Sequence, residues 1–215
     1  MNMHSVMVTY NRLELTKQAV ESYLETVTGP WSLTIVDNNS IDGTQEWLRH
    51  WIRSEAPINR TKIHLLGENK YPGYATNRGW EDAEEDTALL HRADNDFVFL
   101  PGWDTHVRLR FSTDLRLGQL GLRTDEEELF NRHNVGGNCV IRKQLFDEGL
   151  RYDERPWPKI AEKVPGYTED SFLSPLVRKM GWEWGRVTEP CIRPISNEDP
   201  EDEYYIRSWR DRGIR

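Results

Sequence analysis

Short apolar segments alternate with amphipathic segments through the first half of the chain. The apolar segments span residues 5–9, 33–36, 63–66 and 87–93, and each leads into a polar loop. Apolar residues recur at helical spacing between and after them, in residues 13–27, 44–52, 74–83 and 107–115. Four strand–helix repeats of this kind predict a parallel sheet with helices on its faces. We therefore expect an α/β protein.

The length of 215 residues suits one α/β domain with a full hydrophobic core. The second half is less regular, with strands predicted at 117–122, 135–141 and 182–187 and helices from Gln144 and from Ser171. Residues 151–166 form an irregular stretch, and a loop of this length in a compact domain is usually functional or mobile. We predict a single domain whose first half binds a nucleotide.

Composition and motifs exclude several classes of protein. The net charge of −8 disfavours general binding to a nucleic-acid backbone. The glycine-rich fingerprints of dinucleotide oxidoreductases and P-loop NTPases are absent from the sequence. The sequence predicts neither a signal peptide nor a transmembrane segment. Cys139 and Cys191 lack metal-site spacing and fit a reducing compartment, so a cytoplasmic protein is expected.

Polar residues follow each of the four predicted parallel strands. They are Tyr10-Asn11-Arg12, Asp37-Asn38-Asn39, the loop 69–73 and Asp94-Asn95-Asp96. Because the carboxyl ends of parallel strands meet at one edge of a sheet, we expect a ligand site there. Asp94 and Asp96 offer hard oxygen ligands, which suit a Mg²⁺ or Mn²⁺ ion that also holds a diphosphate. The alternative interpretation of this pair is a solvated Asx turn.

Six segments of the chain, taken in order, resemble those of the family-2 glycosyltransferases. They are residues 6–12, 35–44, Asn69 with 73–79, 94–96 with 101–103, 136–138, and 169–170. The resemblance covers roughly residues 5–190, and its most specific part is the segment 36–44. It implies the GT-A fold, a Rossmann-like mixed sheet flanked by helices, in a single domain 1–215. Residues 1–103 would bind the nucleotide-sugar, residues 104–195 would bind the acceptor and carry catalysis, and residues 196–215 would form a tail.

The resemblance also implies how a nucleotide-sugar donor is held. Tyr10 would stack on the base, and Asp37 would accept the imide N–H of uracil or thymine. Asp94 would contact the ribose or the metal, and Asp96 would bind the Mn²⁺ or Mg²⁺ that offsets the charge of the departing diphosphate. The implied nucleotide-sugar residues are Thr9, Tyr10, Asn11, Arg12, Asp37, Asn39, Asn69, Asn77, Arg78, Asp94 and Asn95.

On the acceptor side, the resemblance implies that Asp170 takes the proton of the acceptor hydroxyl while Glu169 orients the acceptor. Transfer from a UDP- or dTDP-sugar would then proceed by one displacement with inversion. Candidate acceptor contacts are Trp103, Gly137, Asn138 and Trp157. We expect no membrane tether, and this expectation favours a soluble acceptor.

Each implied role has a structural alternative. Tyr10, Trp103 and Trp157 also suit hydrophobic packing, Asp37 suits an Asx turn, and Asp170 suits a helix N-cap. The C-terminal arginines suit a solvated helix face. The alternative functions are a retaining GT-A transferase, a sugar nucleotidyltransferase, or a non-catalytic module that binds nucleotides or carbohydrates.

The sequence departs from the family pattern at two places. The histidine that many relatives carry after the last core strand is missing from residues 190–199, where Arg193, Asn197 and Asp199 are the substitutes available. Thr76 stands where the family often has an arginine, with Arg78 two positions later. The metal site and the nucleotide preference are therefore the least determined parts of the prediction.

Overall fold

The computed structural model describes residues 1–125, 135, 137–196 and 203–213. The strands in these residues are β1 (Asn2–Thr9), β2 (Trp31–Asp37), β3 (Thr61–Leu65), β4 (Thr87–Asp94), β5 (Phe97–Phe99), β6 (Leu117–Thr124), β7 (Cys139–Arg142) and β8 (Glu183–Pro194). The helices are α1 (Leu13–Thr26), α2 (Thr44–Ser54), α3 (Tyr71–Trp80), α4 (Trp103–Thr113), α5 (Lys143–Asp147), α6 (Trp157–Ala161), α7 (Leu173–Lys179) and α8 (Glu203–Asp211), and a 3-10 turn spans Glu169–Phe172. The strands form one sheet in the order β3-β2-β1-β4-β7-β6-β8-β5.

The first four strands form the parallel part of the sheet, as the sequence predicts. β1 pairs in parallel with β2 and β4, and β2 pairs in parallel with β3. Seven of the eight residues of β1 are buried because both faces of the strand are covered, and this explains its continuous apolar run. Thr9 lies opposite Asp37, and Val8 lies opposite Asp94. The polar loops that follow these strands therefore share one edge.

The second half of the chain makes the sheet mixed, as expected. β7 is antiparallel to β4 and β6, whereas β8 is parallel to β6 and antiparallel to β5. Three elements lie outside the predicted ones: β5 directly after the aspartate pair, α6 within the irregular stretch, and α8 in the tail. No helix in the described part of the chain is long and apolar enough to span a bilayer.

The two faces of the sheet carry separate hydrophobic clusters. Met3 and Met7 of β1 belong to the first cluster, and Val6 and Val8 belong to the second, as strand alternation requires. The first cluster packs α1, α2 and α4 on the sheet, and the second packs α3, α5 and α7. In the described part of the chain, helices thus cover both faces of the sheet, and the carboxyl ends of the parallel strands border a pocket.

Trp103 lies in the first cluster and away from the sheet edge. Its side chain is fully buried, with ring centroids 4.9 Å from Phe99, 5.0 Å from His91 and 5.7 Å from Tyr23. The prediction that Trp103 lines an acceptor groove is therefore wrong. As the first residue of α4, it faces the sheet and serves as a core anchor.

Candidate active site

A pocket of about 290 Å³ lies at the carboxyl edge of the parallel strands. Tyr10, Asn69 and the turn 94–96 enter it from the ends of β1, β3 and β4. Its opposite wall comes from Trp157 and residues 168–170, and α8 contributes a third side. The polar and aromatic residues that line it are Tyr10, Asn38, Asn69, Tyr71, Arg92, Asp94, Asn95, Asp96, Phe97, Trp157, Thr168, Glu169, Asp170, Arg207, Ser208, Asp211 and Arg212.

Asp94 ends β4 and is held on three sides. Its backbone N–H donates to Asn138 Oδ1 at 3.0 Å, and its Oδ2 accepts from Asn138 Nδ2 at 3.1 Å. Its Oδ1 accepts from Arg92 Nε at 3.2 Å. Gly137 leaves room for this arrangement, since a Cβ there would lie 2.7 Å from Asp94 Oδ2. Burial raises the pKa of the Asp94 carboxyl, and the Arg92 guanidinium opposes that rise.

Asp96 lies two residues further along, in the turn between β4 and β5. Its Oδ2 accepts from Arg12 NH1 at 3.0 Å and from Ser196 Oγ at 3.3 Å. Between the two aspartates, the side-chain amide of Asn95 donates to Thr16 Oγ1 at 2.8 Å. This bond ties the turn to the first helix, so both carboxylates stay at the pocket.

The donor chemistry of Asp94 and Asp96 fits a divalent cation shared with a diphosphate. Mg²⁺ is commonly bound by one or two carboxylates while substrate phosphates and waters complete its shell. No group of three or more histidine, cysteine, aspartate or glutamate side chains that could hold a metal occurs among the described residues. A metal here would therefore depend on the substrate for its remaining ligands. Asn197 and Asp199, the predicted substitutes for the missing histidine, lie outside the described residues.

Tyr10 carries an aromatic face at the mouth of the pocket, and α8 covers it. The guanidinium of Arg207 lies 5.5 Å from the ring centroid, and Arg207 NH1 donates to the Tyr10 hydroxyl at 2.7 Å. Asp211, one turn later, accepts from the Tyr71 hydroxyl at 3.1 Å. Helix α8 is thus held by hydrogen bonds to the residues that follow β1 and β3. Arg207 therefore does not simply face solvent.

Asp37 is fully buried, and its carboxylate bonds within its own loop to a residue three positions further along. Its carboxylate accepts from Ser40 N–H at 2.9 Å and from Ser40 Oγ at 2.5 Å. Asn11 joins this loop to the first one, because its Oδ1 accepts from Ile41 N–H at 3.0 Å. Recognition of a base by Asp37 stays a prediction.

Glu169 and Asp170 begin the 3-10 turn and have different surroundings. Glu169 is 2% exposed, accepts from Arg92 NH1 at 2.7 Å and accepts from Trp157 Nε1 at 2.5 Å. Burial raises the pKa of Glu169, and Arg92 opposes the rise. Asp170 is half-buried on the pocket wall and accepts from Thr168 Oγ1 at 2.5 Å. Asp170 is therefore the more accessible of the two carboxylates.

A family model described as Glycosyl transferase family 2 matches residues 5–148 of the chain. The chain belongs to glycosyl transferase family 2. This membership confirms the family and the GT-A fold expected from the sequence, and with them the enzyme class. Among curated proteins, none matches the chain.

Solved structures share the fold at low sequence identity. The mannosyltransferase PcManGT from Pyrobaculum calidifontis, in complex with GDP-Man and Mn²⁺, has a TM-score of 0.73 and 17% identity over 98% of this chain. Residues 1–349 of S. aureus TarS, in complex with UDP-GlcNAc, have a TM-score of 0.68 and 14% identity over 93% of this chain. The chain spans about 60% of the length of each of these two structures.

Eight of the residues predicted for the family-2 site line the pocket. They are Tyr10, Asn69, Asp94, Asn95, Asp96, Trp157, Glu169 and Asp170. Six others hold the loops around it by hydrogen bonds or close packing: Thr9, Asn11, Arg12, Asp37, Gly137 and Asn138. Asn39 has a positive φ of 65° in the loop after β2 and does not line the pocket.

Asn77 and Arg78 are not brought to the pocket. Asn77 is 3% exposed, and its amide bonds the backbone N–H and carbonyl of Tyr152 at 3.0 Å each. Arg78 is half-buried on α3 and pairs with Glu81 at 2.9 Å. Neither residue lines the pocket, because α3 turns them toward the segment after Leu150 and toward solvent, and a nucleotide contact by them stays a prediction.

Arg92, Tyr71 and Arg207 are among the polar residues of this family-2 pocket that sequence reasoning missed. Arg92 lies two residues before Asp94, so strand alternation places both on the same face of β4. A charged residue inside an apolar strand was the signal that could have found it. For Tyr71 and Arg207 no local signal exists, since their positions depend on how α3 and α8 pack.

Proposed function

We propose that the protein transfers a sugar from a UDP- or dTDP-sugar to an acceptor hydroxyl with inversion. The observation that supports this most directly is that one pocket is lined by an aromatic face (Tyr10), a carboxylate pair (Asp94 and Asp96) and a second acidic segment, Glu169-Asp170. Related structures determined with UDP-GlcNAc and with GDP-Man plus Mn²⁺ add support for a nucleotide-sugar donor.

The donor would occupy the side of the pocket formed by the parallel strands. Tyr10 would stack on the base after Arg207 leaves its ring. Asp94 and Asp96 would hold Mn²⁺ or Mg²⁺ against the diphosphate, and this cation would supply the Lewis acid that stabilises the leaving group. Residues 1–103 would thus hold the donor, residues 104–195 the acceptor and base, and the tail would add α8.

Asp170 is the better candidate for the general base. Glu169 is buried and accepts hydrogen bonds from both Arg92 and Trp157. It therefore holds the pocket wall formed by Trp157 and has little access to a substrate. In the reaction, Asp170 takes the proton of the acceptor hydroxyl while the acceptor oxygen bonds to the anomeric carbon. The bond from that carbon to the diphosphate oxygen breaks in the same step, which inverts the configuration.

The location is part of the same proposal. Both cysteines in the described part of the chain are buried free thiols, which supports a reducing compartment such as the cytoplasm.

The first experiment is a thermal-shift panel of UDP-, dTDP- and GDP-sugars with and without Mn²⁺. A donor at about 100 times its Kd adds about 2.7 kcal/mol of stability, which is easily measured. The donor that shifts the Tm most is then used to measure hydrolysis, with water as acceptor. No shift with any of these donors would contradict the proposal.

Variants then assign the roles. We expect Asp170→Asn to lower kcat by a factor of about 10² to 10⁴ at an unchanged Kd for the nucleotide, because the base is lost. Asp96→Ala should abolish the part of the thermal shift that needs Mn²⁺. The control is Asp147→Asn, which changes an exposed aspartate on α5. Full activity of Asp170→Asn, or a released sugar that NMR shows with retained configuration, would overturn the mechanism.

A further inference from the structure

Arg92 places a buried positive charge between the two acidic parts of the pocket. The residue is 4% exposed, and its Nε lies 3.2 Å from Asp94 Oδ1 while its NH1 lies 2.7 Å from Glu169 Oε1. The guanidinium also lies 5.0 Å from the ring centroid of Tyr152. One side chain therefore joins the end of β4 to the turn that carries Asp170, a segment 77 residues further along.

A buried ionic cluster is a costly way to stabilise a fold. Removing charges from water is expensive, and well-packed apolar residues often replace buried ion pairs without loss of stability. The other residues of β4 from Thr87 to Ala93 are mostly apolar and buried, so packing alone does not require an arginine here. What the cluster adds is a fixed geometry for carboxylates at a pocket.

The shape of the guanidinium matters for this contact. Its planar fork directs Nε at Asp94 and NH1 at Glu169 at the same time, which a single ammonium group does not reproduce. Gly137 closes the other side, since a Cβ at that position would lie 3.1 Å from Arg92 NH2. Glu169 in turn accepts a hydrogen bond from the indole N–H of Trp157.

We propose that Arg92 is a positioning residue that sets the distance between the donor-binding carboxylate Asp94 and the base Asp170. It acts through Glu169, whose side chain it anchors directly beside the base. This inference rests on the proposed function, because it assigns Asp94 to the donor and Asp170 to the acceptor. Arg92 itself need not touch the substrate.

The test is Arg92→Lys, which keeps the charge and loses the fork. Misplacing a reacting group by about 1 Å can cost about 100-fold in rate, so we expect kcat for donor hydrolysis to fall by a factor of about 10 to 100. The KM for the donor is expected to stay within about threefold, because the Asp94 contact is the one that a lysine can still satisfy. A purely structural role would lower the Tm without this split between kcat and KM.

Glu169→Gln weakens the same link from its other end, because it removes the carboxylate charge that Arg92 pairs with, and it covers the case in which Arg92→Lys does not fold. It should show the same fall in kcat. The double variant should lose no more kcat than the less active of the two single variants, because both changes act on one contact. The matched control is Arg142→Lys in the neighbouring strand, where the guanidinium donates to the backbone carbonyls of Leu117 at 2.7 Å, Phe111 at 2.9 Å and Asp114 at 3.0 Å. Arg142→Lys is expected to lower the Tm and leave kcat unchanged.

The outcomes separate the two proposals. If the parent hydrolyses the donor and Asp170→Asn abolishes this activity, but Arg92→Lys and Glu169→Gln keep kcat within twofold, the positioning role is wrong and the function stands. Additive losses in the double variant would also overturn the role. If the parent turns over no donor in the panel, both proposals fail together.

Discussion

His91 gives a prediction whose magnitude follows directly from the structure. It lies in β4, fully buried, with Nδ1 3.0 Å from Ser5 Oγ. Its Nε2 has no hydrogen-bond partner among the described residues. The ring is surrounded by aromatic residues, with the centroid of Trp103 at 5.0 Å. Burial lowers the pKa of His91 from 6.5 to about 3, because the charged form cannot be solvated there.

The sign of the effect on stability follows from proton binding. The pKa of the folded state lies below that of the unfolded state, so between pH 6.5 and about 3 the unfolded chain binds a proton that the folded protein excludes. Stability contributed by neutral His91 is therefore complete above pH 6.5 and falls as the pH drops. At pH 5, about 1.5 pH units below the unfolded pKa, the loss is about 2 kcal/mol.

The variant His91→Leu removes the titration and keeps an apolar side chain of similar size. Urea unfolding of parent and variant at about pH 7.5 and about pH 5 gives four free energies of unfolding. We expect the parent to lose about 2 kcal/mol more than the variant across this interval. Whatever the cavity or packing change costs is the same at both pH values and cancels. A difference between parent and variant that does not change with pH would refute the reasoning.

Three further outcomes are expected. Gly73→Ala should lower the free energy of unfolding in urea by about 3 kcal/mol, because a Cβ would collide with the carbonyl oxygen of Asp153. An unchanged midpoint would show that the backbone around Asp153 moves aside without cost. Arg207→Ala should tighten binding of UDP, measured by calorimetry, by up to about fivefold, since an exposed cation–π contact of about 1 kcal/mol no longer competes for Tyr10; weaker binding would instead make Arg207 a ligand contact. Both thiols should resist DTNB in the native protein and react only after unfolding, because burial raises the pKa of each; rapid native labelling would contradict their burial.

The parallel half of the fold could be predicted because each strand carries its own signal. A strand buried on both faces is mostly apolar and has a polar loop behind it, and β1 and β4 follow this pattern although they also bury His4 and His91. The three-residue strand β5 carries no such signal, since it exists only through pairing with the end of β8. Helix α3 begins three residues before the start that the sequence predicts, because Pro72 suits the first turn of a helix as well as a loop.

The residues of the site also differ in whether the local sequence predicts them. Tyr10, Asp94 and Asp96 were predictable because the residues that follow a parallel strand lie at its carboxyl end, where the ligand site of such a sheet is found. Asp170 came from the family resemblance, since nothing local separates a base from an N-cap. The contact between Arg207 and Tyr10 joins residues 197 positions apart, and only the packing of the last described helix creates it.

The close approach of Gly137 to Arg92 and Asp94 limits how this sequence can diverge. A methyl group at position 137 would lie 2.7 Å from Asp94 Oδ2 and 3.1 Å from Arg92 NH2, so an alanine there is tolerated only after both side chains have moved or changed. Positions 92, 94 and 137 should therefore change together across related sequences, although 92 and 137 lie 45 residues apart (137 minus 92). A survey of homologues would show glycine at position 137 wherever arginine precedes the aspartate pair, and larger residues would be confined to chains that lack it. Laboratory recombination of such homologues would have to exchange β4 and the segment before β7 as one block.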